Sequence, residues 1–280
     1  MRARPLLRVR SAGFALAVAI TVAALAVASP ALAADDGPAP LARLDIVDRG
    51  QGPEAWAENL LSGPIEVVLR SIGPAPPAQP ALPARATVPA RARVLVSRIQ
   101  RADAQLVLEV VPGHPGARPL DVEYAWPLGT HVLRVGQGWG GVFSHRDDEN
   151  RHAVDFAVPE GTPVLAARDG VVMQAEARFA GGGLRSTDDT ARANFIRILH
   201  DDGTMALYAH LAPGGTSVAA GDRVRRGQRI GTSGNTGYSG GPHLHFVVQA
   251  NRGLRLASIP FRMFGPGGIL RFSETAAGVE

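Results

Sequence analysis

From Leu44 onward, apolar and polar residues alternate in short runs broken by Gly, Pro, Asn and Asp. That pattern predicts half-buried strands joined by turns. Ile65 to Leu69, Arg93 to Ser97 and Gln105 to Val111 each read as a strand. Between the first two, Pro74 to Pro89 is rich in Pro and Ala and cannot supply a central strand, because proline donates nothing to a ladder. No helical run of useful length interrupts the stretch. After a polar, Pro-containing lead at 35–41, residues 34–122 are therefore expected to form a small all-β domain, sandwich-like in type.

The second half is denser in strands and glycines. His131 to Val135, Val154 to Val158, Gly170 to Gln174, Asn194 to His200, Thr204 to His210 and His243 to Gln249 fit strands. Asp201-Asp202-Gly203 reads as a tight hairpin between two of them, with glycine supplying the positive φ. Ala177 to Ala193 reads as a long polar loop, a length usually found at functional rims. The fold class is thus mainly β: a sandwich-like domain at 34–122, an antiparallel sheet or barrel-sandwich-like domain at 123–265, and a tail at 266–280.

One pattern near the start is of another kind. Arg2, Arg4, Arg8 and Arg10 precede an apolar run from Gly13 to Ala28, which ends at Ala31-Leu32-Ala33. A basic lead, an apolar stretch and a small-x-small cleavage site make residues 1–33 a secretory signal. Uncleaved, the run from Ser11 to Ser29 is long enough to span a bilayer. Either way the remaining chain is expected outside the cytoplasm, in the periplasm or the extracellular envelope.

This segment changes the meaning of the charge. The whole chain has 29 basic and 25 acidic residues, for a formal charge of +4. Removing 1–33 takes four Arg and no acid, leaving 25 against 25. A neutral mature protein with 5% aromatic residues offers no electrostatic footprint for nucleic acid. Two absences narrow the chemistry further. There is no Cys, so neither disulfides nor thiolate ligands hold this exported chain. There is no Lys either, which removes Schiff-base, P-loop and biotinyl or lipoyl carrier chemistry.

Seven of the eight histidines lie between 131 and 245. In His243-Leu244-His245-Phe246, alternation puts the two imidazoles on one face and Leu244 and Phe246 in a core. Side-by-side imidazoles on a strand with a buried back are costly unless something binds them, and a metal ion is the natural partner. Asp155, between Val154 and Phe156, is an acid among apolar neighbours that needs a cation or a donor. His145 lies ten residues before it, and His210 ends another strand. Two His with one carboxylate make a catalytic zinc set with an open fourth position.

Gly161-Thr162-Pro163-Val164, Ala167-Arg168-Asp169-Gly170-Val171-Val172, Tyr208-Ala209-His210-Leu211, Gly221 to Gln228, and Gly234-Asn235-Thr236-Gly237 through Gly241-Pro242-His243-Leu244-His245-Phe246 occur in that order. Over roughly 125–250 they resemble the lysostaphin-type (LytM-type) zinc metallopeptidases that cut peptidoglycan peptides. The segment at 40–120 is similar to the β-domain that precedes such peptidases in some exported bacterial proteins. The resemblance implies Zn²⁺ held by His145, Asp155 and His245, with His210 and His243 handling the water proton and the oxyanion in either order. It implies hydrolysis of peptide crosslinks, with peptidoglycan peptides as the substrate; envelope proteins are candidate partners. Relatives on the same fold that bind the wall or activate amidases without catalysis typically lose ligands, whereas this chain keeps all five residues. A protease acting on other peptides is the third reading.

The common first motif of that family is H-x3-D, yet Arg151 occupies that spacing before Asp155. His145, with nine residues between, fits a longer variant. His152 competes for the role, but in an extended strand its side chain would alternate away from Asp155. Tyr208 reads either as a donor in the cleft or as a packed core residue, and Trp139 either as a rim residue or as ordinary packing. Gly237-Tyr238-Ser239-Gly240-Gly241 matches a nucleophile elbow, but Pro242 and a strand follow where a helix is required. Gly136 to Gly141 matches G-x-G-x-x-G without a helix after it, so its backbone is read as a groove lining. His114, His131 and His200 read as turn, surface or satisfied core residues, and Asp147-Asp148 as a solvated loop.

Overall fold

The computed structural model describes residues 37–101, 103–132, 134–184, 189, 191–265, 267–270 and 272, and the backbone of Ile20–Val22. The signal expected at 1–33 lies otherwise outside the described residues. No helix among them is long and apolar enough to cross a membrane.

Alternation builds the N-terminal half as expected from its pattern. In Pro53–Asn59 every second residue is buried, and the strand lies between Ala42–Asp48 and Arg93–Ile99. A second sheet places Ile65–Ser71 between Ala84–Val88 and Leu106–Pro112. The Pro-rich segment does form strand at Ala84–Val88, and it sits at an edge, where proline's missing N–H costs least. Leu44, Ala55, Ala57, Val67, Leu69 and Leu108 fill the space between the two sheets.

The C-terminal half is organised around a sheet in the order Val135–Gln137, Val154–Phe156, Leu244–Asn251, Met205–Ala209, Phe195–Leu199, Gly170–Glu176 and Arg223–Val224. The expected strand at 131–135 starts later, at Val135. Val154, Phe156, Leu244, Phe246, Val248, Tyr208 and Ile196 point to one side and form the larger core. Tyr208 belongs to that side: its hydroxyl accepts the Ala167 N–H at 2.8 Å, so it is a packed residue and no donor in the cleft. Residues read as a tail also join the fold. Gly268–Leu270 pairs with Arg262–Gly265, and Leu270 and Phe272 pack on the core.

The opposite side of the sheet carries two different things. At one end, Met173 and Met205 pack into the sandwich core of the N-terminal half. Glycines make this fit possible. A Cβ on Gly63 would lie 2.8 Å from Met173 Sδ, and one on Gly113 would lie 2.7 Å from Met205 Cε. Polar contacts close the junction: Ser62 N–H to the Met173 carbonyl at 3.1 Å, Asn251 Nδ2 to the Gly113 carbonyl at 3.0 Å, and the Leu254 N–H to Glu66 Oε2 at 2.6 Å. The other end bears the histidines.

Candidate metal centre

Register alone brings two of the residues together. Asp155 pairs with His245 across adjacent antiparallel strands, so both side chains stand on the same face. Ala209 pairs with His245 on the other flank. The next residue, His210, takes the left-handed φ of +62°, which costs a non-glycine residue on the order of 1 kcal/mol. The turn separates the Met205–Ala209 strand from Leu211–Thr216 and leaves the His210 ring 4.5 Å from that of His243, centroid to centroid.

His145 arrives from a loop. Its backbone N–H bonds the Gly141 carbonyl at 3.0 Å, and its Nδ1 donates to the Gly138 carbonyl at 2.8 Å. The glycine-rich segment therefore does line the groove with backbone, and one of its carbonyls orients this imidazole. His145 Nε2 is left carrying a lone pair, 3.3 Å from Asp155 Oδ1, fully buried and with no hydrogen-bond partner. His245 Nδ1 lies 2.9 Å from the same oxygen, and His243 Nε2 lies 3.8 Å from it. One ligand atom each from His145, Asp155 and His245 lie within 4.8 Å of one another.

Three of the four imidazoles, His145, His210 and His243, are oriented in the same manner, through Nδ1. Nδ1 of His210 donates to the Thr236 carbonyl at 2.7 Å, and Nδ1 of His243 to the Gly241 carbonyl at 2.8 Å. Tying one ring nitrogen to an oxygen acceptor fixes the tautomer and turns the other toward the centre, as ligating histidines require. Gln137 holds the second oxygen of Asp155, with Nε2 3.2 Å from Oδ2. An orphaned buried imidazole nitrogen facing a carboxylate, beside a second imidazole, fits a divalent metal ion such as Zn²⁺.

The electrostatics agree. Burial opposes charge on Asp155, but positive charge placed on its His145 and His245 side holds the carboxyl well below the usual carboxylate range, as a cation at that point does. Burial likewise works against a charged His145, and the Asp155 contact outweighs it, raising that imidazole. Burial lowers His210 to about 3, with His243 and His245 adding to the effect, so it is neutral at pH 7. Asp155 and His243 keep 14% and 17% side-chain exposure, which leaves the centre reachable from one side. Phe143, 58% exposed, and Tyr238 stack at 5.8 Å on the rim.

His152 lies elsewhere. Its Nδ1 is 3.1 Å from Ser258 Oγ, and its ring stands edge-on to Trp139, which packs further on Phe261 and Phe272. Ser239 hydrogen-bonds Asn235 and the Gly241 carbonyl in the turn that delivers His243. His200 is buried, with Nδ1 donating to the Asp169 carbonyl, and His131 is exposed. Asp147 corrects the expectation of a solvated loop: Oδ1 accepts from Glu149 N, Asn150 N and Asn150 Nδ2 at 3.0, 2.9 and 3.0 Å. Asn150, whose Oδ1 lies 3.2 Å from His245 Nε2, went unnoticed in the sequence because nothing in its spacing marks it.

Comparison with known proteins gives one family match, to Peptidase family M23, over residues 149–255. The chain is 39% identical over 119 residues to the glycyl-glycine endopeptidase ALE-1 of Staphylococcus capitis, covering 42% of this chain and 30% of that protein. It is 41% identical over 97 residues to the peptidoglycan DD-endopeptidase ShyA of Vibrio cholerae, covering 35% of this chain and 20% of that one. Lysostaphin from Staphylococcus simulans aligns with 36% identity over 42% of this chain and 43% of its own, at a TM-score of 0.34. The chain spans less than a third of the length of these two curated relatives.

Proposed function

Because residues 149–255 form a peptidase family M23 domain, we propose that this protein is an exported zinc endopeptidase that hydrolyses peptide crosslinks of bacterial peptidoglycan. The observation that carries the proposal is the buried, unpartnered Nε2 of His145 facing Asp155 beside His245. His145, Asp155 and His245 are the proposed ligands. Two similar proteins are named for cutting glycyl-glycine and peptidoglycan peptides, which supports the substrate class.

When bound, zinc supplies a Lewis acid for the scissile carbonyl and lowers the pKa of water toward ~7. The remaining work falls to the chain. Asp155, ionised across the working range, offsets the ion's charge and is held in place by Gln137. His210 and His243 share the transfer of the water proton to the leaving amine and the stabilisation of the tetrahedral oxyanion. His210 enters as a neutral acceptor because burial keeps its proton off. Phe143 and Tyr238 offer an apolar wall against which an extended peptide can lie.

The test is to measure bound zinc in the purified protein, incubate it with purified peptidoglycan, and resolve the released fragments by mass. One zinc per chain and loss of crosslinked dimers are expected, with both absent in His145→Ala. Zinc without cleavage of peptidoglycan, but with cleavage of unlinked peptides, would move the substrate to other polypeptides. Neither zinc nor cleavage would leave a silent wall-binding protein.

A further inference from the structure

Asn150 is only 1% exposed on the loop between His145 and the Val154–Phe156 strand. Its amide has two neighbours with opposite demands. Nδ2 lies 3.0 Å from Asp147 Oδ1, and Oδ1 lies 3.2 Å from His245 Nε2. A carboxylate only accepts, so the amide nitrogen must face Asp147 and the amide oxygen must face His245. That oxygen in turn requires a hydrogen on Nε2. The lone pair of His245 then sits on Nδ1, 2.9 Å from Asp155 Oδ1. A lone-pair nitrogen and a carboxylate oxygen so close are complementary to a cation and not to each other.

We propose that Asn150, held by Asp147, is a positioning residue that fixes the tautomer of His245 and thereby makes Nδ1 its metal-ligating nitrogen. The inference rests on the metal-site reading above. The loop carrying Asn150 is itself tied to the sheet. Gln249 Nε2 donates to the Glu149 carbonyl at 3.0 Å, and Gln249 Oε1 accepts from the buried Arg197 at 2.6 Å. His145, His210 and His243 are oriented by backbone carbonyls, which no substitution removes. His245 relies on a side chain, so its orientation can be edited.

The experiment uses the full chain, stripped of metal and titrated with Zn²⁺ against a chromophoric chelator, with Co²⁺ absorption reporting coordination geometry. Removing such an outer partner typically costs ten- to hundredfold in metal affinity. Asn150→Ala is expected to lose that much and to alter the Co²⁺ bands while its metal-free form keeps the wild-type circular dichroism and a cooperative melt. The exchange Asp147→Asn with Asn150→Asp restores an acceptor toward His245 with a donor behind it, and is expected to recover the affinity. Asn150→Ala binding Zn²⁺ as tightly as wild type, or the exchange binding as weakly as Asn150→Ala, overturns the inference. Nitrogen NMR of the zinc-loaded wild type needs no variant: His245 should show a protonated Nε2 and a zinc-shifted Nδ1, and the opposite tautomer also overturns it. A wild type that takes up no zinc defeats the metal-site reading itself, whereas uptake that His145→Ala abolishes and Asn150→Ala leaves intact defeats only this inference.

Discussion

One face of the central sheet is used twice, and its two ends solve burial in opposite ways. At the covered end, Met173 and Met205 enter the sandwich core, and the polar groups between the halves are paired: Asn251 with the Gly113 carbonyl, Glu66 with the Leu254 N–H. Midway, the fully buried Arg197 reaches Gln174 and Gln249 at 3.1 and 2.6 Å. At the far end, His145 is buried as deeply, yet its Nε2 has no partner. Burial of polar side chains is common to both ends. Trp139 Nε1 and His200 Nε2 are also buried without a hydrogen-bond partner, so an orphan alone does not mark a site; at His145 the orphan faces a carboxylate, and that apposition is what points to a cation between them.

The sharpest way to break this contrast is His245→Ala. At the open end it should abolish zinc uptake and cleavage while the chain remains folded, read by elemental analysis and circular dichroism; a variant that keeps both would remove the site from this face. His210→Ala should leave zinc bound and lower the turnover about 10²–10⁴-fold, the usual weight of a proton-transfer group. Loss of zinc in that variant would make His210 a ligand instead.

At the covered end the expectations reverse. Met205→Ala deletes a fully buried side chain at the junction. It should cost about 2–5 kcal/mol in denaturant unfolding and leave the zinc stoichiometry unchanged. A stability loss below 1 kcal/mol would mean that the two halves are not one packed core there. A smaller effect should follow pH. Burial lowers His200 to about 4 from an ordinary 6.5, so the unfolded chain takes up its proton first as pH falls. Its contribution to stability is complete above about 6.5 and is lost as pH drops toward 4. The melting temperature should therefore decline across that window, and less steeply in His200→Gln. Smallest of all, Glu109→Ala removes an exposed pair with Arg70 and should change stability by less than about 1 kcal/mol.

Much of the candidate site was legible in the sequence, for reasons that differ by residue. His243 and His245 could be placed on one face, with Leu244 and Phe246 behind them, since a strand has period two. The same rule aimed Asp155 away from Val154 and Phe156. His145 could only be preferred over His152, because a loop has no period; its approach depends on the Gly138 and Gly141 carbonyls. Tyr208 is two residues before His210 in the chain, and alternation alone would have put both on one face. The left-handed φ at His210 breaks that alternation, so Tyr208 stays in the core while His210 reaches His243.

The sequence by itself determined most of the strands, the class of the fold and the exclusion of thiolate and lysine chemistry, because these depend on residue type and local period. Tertiary structure decided what depends on distance between remote segments. It brought His145 within 3.3 Å of Asp155, sent His152 to Ser258, seated the methionines against Gly63 and Gly113, and turned the amide of Asn150 toward His245. A hydrogen bond or a metal site requires its atoms to agree within a few tenths of an ångström, and that agreement is set by packing across the whole domain rather than by spacing along the chain.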